Sequence, residues 1–589
     1  MRRLIELVAR VFRRKWWPAA VSIVAFVLVS PTIAAGYFLD DLIHIFVLEG
    51  NVYPGGPRGA WDLYHFADAG PGTRAAIDQG LYPWWSSPDL KLAFFRPLSS
   101  LWRAGEHALF GRVAWPAHLT TCLLYAALAY GVARMYRRLL GAGAVAGLAA
   151  LLYAVDDAHS LSVVWIANRH ALLAGALGLL VVGMHTKRVD EGRASWPSAL
   201  VLAVALLAGE TALGAVGYVV AYELVARRAS LRQKLASLAP HTVVLGVWAA
   251  VYKLGGYGGG GNAFYLDPVR DPVAYLAALP GRFAKLTVGQ LFVPPSEMWG
   301  LAPLPSWVTS LVALTLGAAL VWLLARATRG HAAVPWLALG AALSLLPLTA
   351  TLPDDRLLVM PGFGAMAVVA VALGRAARAW VAGDLGRVGR TAVTLFGALH
   401  LVLAPLLLPV RAMNVPAMFG GFTTRASASL PRGDAVAGKE VVVVATVDSF
   451  ATSIALIDRY YLQSPPGQRP RKTRILAVQQ GGSVTIRRDG PNALVLEATP
   501  GMYRDLFSTV YRRDAFREGE EAHAGGMNVR VLAVDAQNRV TRLRFESEEA
   551  LEEKICVVYE GRSFVAIAPP TESTPRVVEE GTFFEAIQP

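Results

Sequence analysis

Charge is scarce in this chain. Asp, Glu, Lys and Arg make up 17% of its 589 residues, against about 25% in an ordinary soluble domain, and that shortage excludes a protein that lives wholly in water. Cysteine is scarcer. Cys122 falls in an apolar run and Cys556 near the far end, so a bridge between them would join hydrocarbon to water, and no disulfide framework is implied. The glycine run "GGYGGGGN" (255–262) lacks the Gly-Lys-Ser/Thr ending of a phosphate loop, which excludes nucleotide binding of that kind and leaves a flexible hinge as the expectation.

What is abundant is apolar length. Hydrophobic residues make up 54% of the chain and its mean hydropathy is +0.42. Residues 17–37, 116–135, 307–324, 357–373 and 391–410 each approach or reach the roughly 20 apolar residues that cross a bilayer core. The opening "MRRLIELVARVFRRKWWP" resembles a signal-peptide n-region, but the following run is too long for an h-region, so the first span is expected to stay as an anchor. Basic clusters recur between spans at 134–138, 187–193, 227–234, 326–329 and 375–390. The positive-inside rule places them in the cytoplasm. The formal net charge of +13 is thereby spread over loops, not gathered on one face, and nucleic acid is excluded as a partner. Eleven spans are expected, with the N-terminus inside and the C-terminus outside. Residues 272–293 are apolar enough to lie in or against the membrane.

With the basic loops inside, the acidic ones fall outside. Asp40 and Asp41 follow span 1, Asp156 and Asp157 with His159 follow span 3, Glu210 separates two short spans, and "LPDDR" (352–356) follows span 9. Carboxylates at a membrane boundary are partly desolvated, and the paired ones carry like charges side by side. A long external loop, 38–112, is rich in Trp, Tyr and Phe, which suits short amphipathic helices at the headgroup level. From about 433 to 589 the pattern turns to alternating strands with turns at Asp-Gly and Gln-Asn. The expected organisation is a basic tail (1–16), a transmembrane domain (17–410), a linker (411–432) and a β-rich extracytoplasmic domain (433–589). The fold class is thus a polytopic α-helical membrane protein with a C-terminal α+β domain.

Five features in order carry a family resemblance: Asp40-Asp41 after span 1, "FFRPLSSLW" (94–102) closing the loop, "LLYAVDDAHSLSVVWIANRHALL" (151–173), "LAGETAL" (207–213) and "PDDRLLVMPGFGAMAV" (353–368). Together, over roughly residues 17–410, they resemble the membrane glycosyltransferases of the GT-C class. Within that class the likeness is to the branch of the protein O-mannosyltransferases and their tetratricopeptide-repeat-containing relatives, although no repeat of about 34 residues follows residue 432. Departures occur where relatives show His-Pro and this chain has Asp156-Asp157, and where they show Lys-Glu and it has Gly209-Glu210.

The resemblance implies transfer of a sugar from a polyprenyl-phosphate donor to an acceptor protein, lipid or glycan at the external face of a bacterial plasma membrane. It implies Asp40 as the base and Asp41 as its partner. His44, one helical turn on, is placed to hydrogen-bond that pair. Arg96, Arg169 and Arg356 are the candidates for the donor phosphate, because a guanidinium binds phosphate bidentately and keeps its charge. Asp156, Asp157, His159 and Glu210 complete the expected substrate-binding set. No cofactor is required; a divalent metal held by Asp156, Asp157 and His159 beside Asp40 is the alternative. Two other function classes fit the same spans: a non-catalytic scaffold and a lipid or glycan transporter.

Overall fold

The computed structural model describes residues 10–302, 304–503, 505–571 and 574–588; the first nine residues of the basic tail lie outside them. The chain divides into two compact units, one made of Met1–Gly36, Phe95–Gly255 and Leu266–Asn414, the other of Tyr37–Phe94, Gly256–Tyr265 and Val415–Pro589.

The first unit is helical. Among the described residues, eight helices are long and apolar enough to cross a membrane: Trp17–Ala34, Trp115–Leu139, Ala144–Val164, Ile166–Asp190, Leu231–Leu254, Ser306–Thr328, Val359–Ala382 and Arg387–Ser429, the last continuing into residues of the second unit. Three further stretches expected as spans are shorter. Helix Trp196–Ala208 stops at Gly209, and Leu213–Ala221 begins after a 3₁₀ turn, Glu210–Ala212, so the long apolar stretch is broken at its one acid. Val334–Ala350 likewise ends in a 3₁₀ turn. Small residues let these helices close on one another. A Cβ on Gly217 would lie 2.8 Å from the backbone nitrogen of Ser344, and one on Gly364 2.3 Å from the carbonyl of Leu337. The Tyr218 hydroxyl donates to the Met360 carbonyl at 2.9 Å and accepts from the Gly364 N–H at 2.8 Å, satisfying polar groups that water does not reach.

The second unit gathers three distant pieces of chain. Strands β1 (His65–Asp68), β2 (Lys91–Ala93) and β3 (Gly258–Gly260) form an antiparallel sheet in that order. The glycine run is therefore a paired strand where a flexible hinge was expected. Its glycines are needed for close approach: a Cβ on Gly259 would meet Tyr265 at 2.6 Å, and Gly261, at φ +71°, lies where a Cβ would meet the Asp89 carbonyl at 2.5 Å. The C-terminal residues supply β4 (Glu440–Thr446), β5 (Lys472–Val478), β6 (Gly482–Arg488), β7 (Ala493–Met502), β8 (Glu521–His523), β9 (Met527–Val534), β10 (Val540–Ser547), β11 (Ile555–Glu560), β12 (Ser563–Ile567) and β13 (Arg576–Glu580). One sheet runs β13-β6-β7-β10-β9-β8 and the other β12-β11-β4-β5. Strand β4, "EVVVVAT", is buried at every position and lies parallel to both β5 and β11, as its unbroken apolar run requires.

The aromatic-rich loop is built into this unit's core. Trp84 and Trp85 are 5% and 2% exposed among residues of the C-terminal sheets. Trp84 packs against Tyr503, Phe516 and Phe545, and its Nε1 donates to the Leu476 carbonyl at 2.9 Å. The headgroup belt expected from composition does not hold for these two residues, because a composition of Trp and Tyr suits a wet interface and a protein core alike.

Candidate active site

In the first unit, the turn Asp157–His159 and the turn Asp355–Leu357 are brought together by an arginine that sequence reasoning missed. Arg411 donates through Nη1 to Asp157 Oδ2 at 2.5 Å, and through Nη2 to Glu297 Oε1 at 2.6 Å and Asp355 Oδ2 at 3.0 Å. Three carboxylates thus share one guanidinium, leaving a net charge of about −2 on the cluster if all are ionised. Asp355 also accepts from the Ser296 N–H at 2.8 Å, and its own N–H donates to Glu297 at 3.2 Å. Burial, with Asp355 and Asp354 adding to it against the pull of Arg411, pushes the Glu297 carboxyl up to about 7. Burial likewise raises Asp355, with Arg411 and Ser296 opposing. The signal for Arg411 was legible: it is the one Lys, Arg, Asp or Glu between Arg390 and Arg425.

The neighbouring acid is held separately. Asp156 caps the Asp157–His159 turn through Ala158 N–H at 3.1 Å and accepts from Gln290 Nε2 at 2.8 Å. His159 is wholly buried, with Nδ1 3.0 Å from the Tyr125 hydroxyl. The alternative metal set is not assembled: Asp157 is bound by a fixed cation, Asp156 by an amide, and His159 is turned to a phenol. Among the described residues no group of three or more His, Cys, Asp or Glu is placed to hold a metal ion.

The three arginines expected at the phosphate occupy different surroundings. Arg169 is 4% exposed. Its Nη1 and Nη2 meet both oxygens of Glu106, at 2.7 and 2.6 Å, and its guanidinium lies 4.9 Å from the Trp102 ring centre. Burial works against ionised Glu106, but Arg169, Thr120 and Trp102 together hold it below the usual carboxylate range. Arg96 joins two motifs that the sequence keeps over a hundred residues apart: Nε donates to Glu210 at 2.7 Å, and Nη1 lies 2.9 Å from His170 Nε2. The other Glu210 oxygen accepts from the Tyr252 hydroxyl at 3.1 Å. Arg356 is held more loosely. Its N–H is capped by Asp354 at 2.9 Å, its guanidinium lies 5.1 Å from the Trp165 ring centre, and Nε is 3.3 Å from Asp354 without a hydrogen bond to it.

In the second unit, Asp40 and Asp41 open helix Asp40–Leu48, where the helix dipole favours negative charge. They are not equivalent. Asp41 is fully buried and accepts from the Phe38 N–H at 3.4 Å, whereas Asp40 is half-buried. The residue between that N–H and the helix is Leu39, at φ +50° and ψ −129°, a conformation that costs a non-glycine residue about 1–3 kcal/mol. Asp40 lies within electrostatic reach of the Tyr53 and Tyr511 hydroxyls, which burial chiefly, and its charge additionally, pushes up. His44 is fully buried, with its ring edge-on to Tyr64 at 4.8 Å and stacked on Phe66 at 6.2 Å.

No protein-family model matches the chain, and no curated protein matches it. Among solved structures it is similar to the crystal structure of ArnT from Cupriavidus metallidurans bound to undecaprenyl phosphate, at 14% sequence identity and a TM-score of 0.37, over 78% of this chain and 89% of that one. A likeness at that TM-score decides neither fold nor activity, and the functional reading rests on the residues above.

Proposed function

We propose that this protein is a membrane glycosyltransferase that moves a sugar from a polyprenyl-phosphate donor to a nucleophilic acceptor at the external face of a bacterial plasma membrane. The observation that carries the reading is the unequal aspartate pair: a strained Leu39 buries Asp41 against backbone and leaves Asp40 half-open at a helix N-terminus. Strained backbone concentrates where a side chain must be held for a task.

In this reading Asp40 takes the proton of the acceptor hydroxyl as its oxygen attacks the anomeric carbon. The bond from that carbon to the phosphate oxygen breaks, and the polyprenyl phosphate departs with the electron pair. Arg356 answers the charge on the departing phosphate, since its guanidinium is only partly engaged and its stacking on Trp165 fixes its plane. Arg96 and Arg169, each closed on a glutamate, brace helices within the first unit. The Arg411 cluster ties the turn after Asp156 to the turn that holds Arg356.

The test is consumption of a panel of polyprenyl-phosphate sugars by the full-length protein in lipid, with membrane extract as acceptor source, followed by mass spectrometry. Wild type is expected to consume one donor that Asp40→Asn spares at equal folding. A panel left untouched by wild type, or a donor consumed equally by Asp40→Asn, overturns the reading and returns the scaffold and transporter classes.

A further inference from the structure

The helix that carries Asp40 is anchored at its far end by a device that the proposed chemistry does not account for. Asn51 closes the C-terminal end of helix Asp40–Leu48: its backbone N–H, at 3.2 Å, and its Nδ2, at 2.9 Å, both donate to the Phe46 carbonyl, one of the carbonyls a helix end leaves unpaired. The remaining polar atom of that side chain, Oδ1, accepts from Arg469 Nη1 at 2.9 Å.

Arg469 is itself fixed on several sides. Nη2 donates to the Tyr461 carbonyl at 3.0 Å, Nε to the Ser464 carbonyl at 3.3 Å, and the guanidinium lies 5.2 Å from the centre of the Tyr461 ring. That ring in turn meets Phe46 edge-on at 5.1 Å. Phe46, Asn51, Arg469 and Tyr461 therefore form a closed circuit that starts and ends on one helical residue. Ile45, Phe46 and Leu462 are buried beneath it, with Leu42 and Ile457 packed against them.

A helix of nine residues is too short to persist on its own, so what grips its far turn sets where its first residue stands. Asp40 lies six residues before Phe46, about 9 Å along the axis at the usual rise. Rotation of the rod by a small angle at Phe46 moves a carboxylate at the other end by an appreciable fraction of an ångström.

We propose that Arg469 is a positioning residue for Asp40: through Asn51 and Tyr461 it fixes the helix so that the carboxylate is presented in one orientation. The proposal rests on the reading of Asp40 as the base. It also gives the C-terminal segment a part in the reaction, since Tyr461 and Arg469 both belong to it.

The experiment compares the full-length wild type in lipid with Arg469→Met, Arg469→Lys and Asn51→Ala. It records deuterium uptake over residues 40–48, donor turnover and thermal unfolding. Arg469→Met and Asn51→Ala are expected to exchange faster over 40–48 while β4 and β11 stay protected. Their kcat falls up to about 100-fold, the scale of a misplaced catalytic group, with KM for the donor unchanged. Arg469→Lys keeps a donor for Asn51 and recovers most of both readouts. The double variant loses less than the sum of the two single ones, because both changes break the same Asn51–Arg469 bond.

Unchanged exchange over 40–48 in Arg469→Met overturns the proposal. So does exchange that loosens throughout 415–589, which would make the residue a general support, or a raised KM at unchanged kcat. A wild type that turns over no donor removes the base role of Asp40 and the catalytic half of the proposal with it. Exchange over 40–48 then decides separately whether the clamp holds the helix.

Discussion

Arg169 and Arg356 look alike at first sight, each an arginine at the end of an apolar run that rests on a tryptophan in the fold, yet their surroundings differ. Arg169 is buried, bound through two nitrogens to Glu106 and crossed by Trp102. Arg356 rests on Trp165 with a fifth of its side chain exposed and an aspartate 3.3 Å away. A buried bidentate pair is a structural commitment: removing one partner strands the other charge. A half-open guanidinium on a ring retains donors for a ligand. Proximity to a membrane boundary therefore does not separate a buried structural arginine from one with donors to spare, and the pairing state of the cation does.

The sharpest way to break the comparison is to remove each cation. Arg169→Met is expected to destabilise the first unit by about 3–5 kcal/mol through unpaired Glu106, seen as a lower melting temperature in lipid; Glu106→Gln in the same chain should restore part of it. An Arg169→Met protein that melts like wild type would place Arg169 in binding after all. Arg356→Met is expected to cost about 10²–10³ in donor turnover, the usual loss for one contact to a developing charge, with melting unchanged. A stability loss comparable to that of Arg169→Met would erase the distinction.

Next in size is Trp165→Leu. Loss of a partly exposed cation–π contact of about 0.5–1 kcal/mol should weaken donor binding by a few-fold, read as KM, while Trp102→Leu should act on melting. The smallest effect expected is at Glu297. Its carboxyl is raised to about 7 in the fold, above its ordinary value near 4.5, so the folded state holds the proton more tightly and stability falls as pH rises between roughly 4.5 and 7. Glu297→Gln should flatten that fall and lose nothing above pH 7. The shift is modest in energy because the side chain is 38% exposed and solvent screens it. A steeper pH dependence in the variant would contradict the assignment.

Long apolar helices were legible in the sequence because twenty apolar residues admit few other outcomes in a membrane chain. The break at Glu210 was legible because both ends of that apolar stretch are basic, which on the positive-inside rule calls for two spans and not one. The pairing of Arg96 with Glu210, and of Arg411 with Asp157, Glu297 and Asp355, was not: those partners meet through helix packing, which no local periodicity encodes. Trp84 and Trp85 were misplaced because burial inside a protein and seating at a headgroup ask for the same side chain. The glycine run was misread because hinge and close-packed strand both favour a missing Cβ, and only Tyr265 and Asp89 tell them apart.

The second unit is closed by strands and side chains from residues 37–94, 256–265 and 415–589, with the first unit's helices threaded between them in sequence. The same order sets a schedule for synthesis. Trp84 and Trp85 emerge early and their core partners around 503–545 emerge about 420 residues later, an interval on the order of tens of seconds at ordinary elongation rates. During that wait the helix bearing Asp40 has neither Tyr461 nor Arg469 to hold it, so the finished geometry around this carboxylate is an event of late biogenesis.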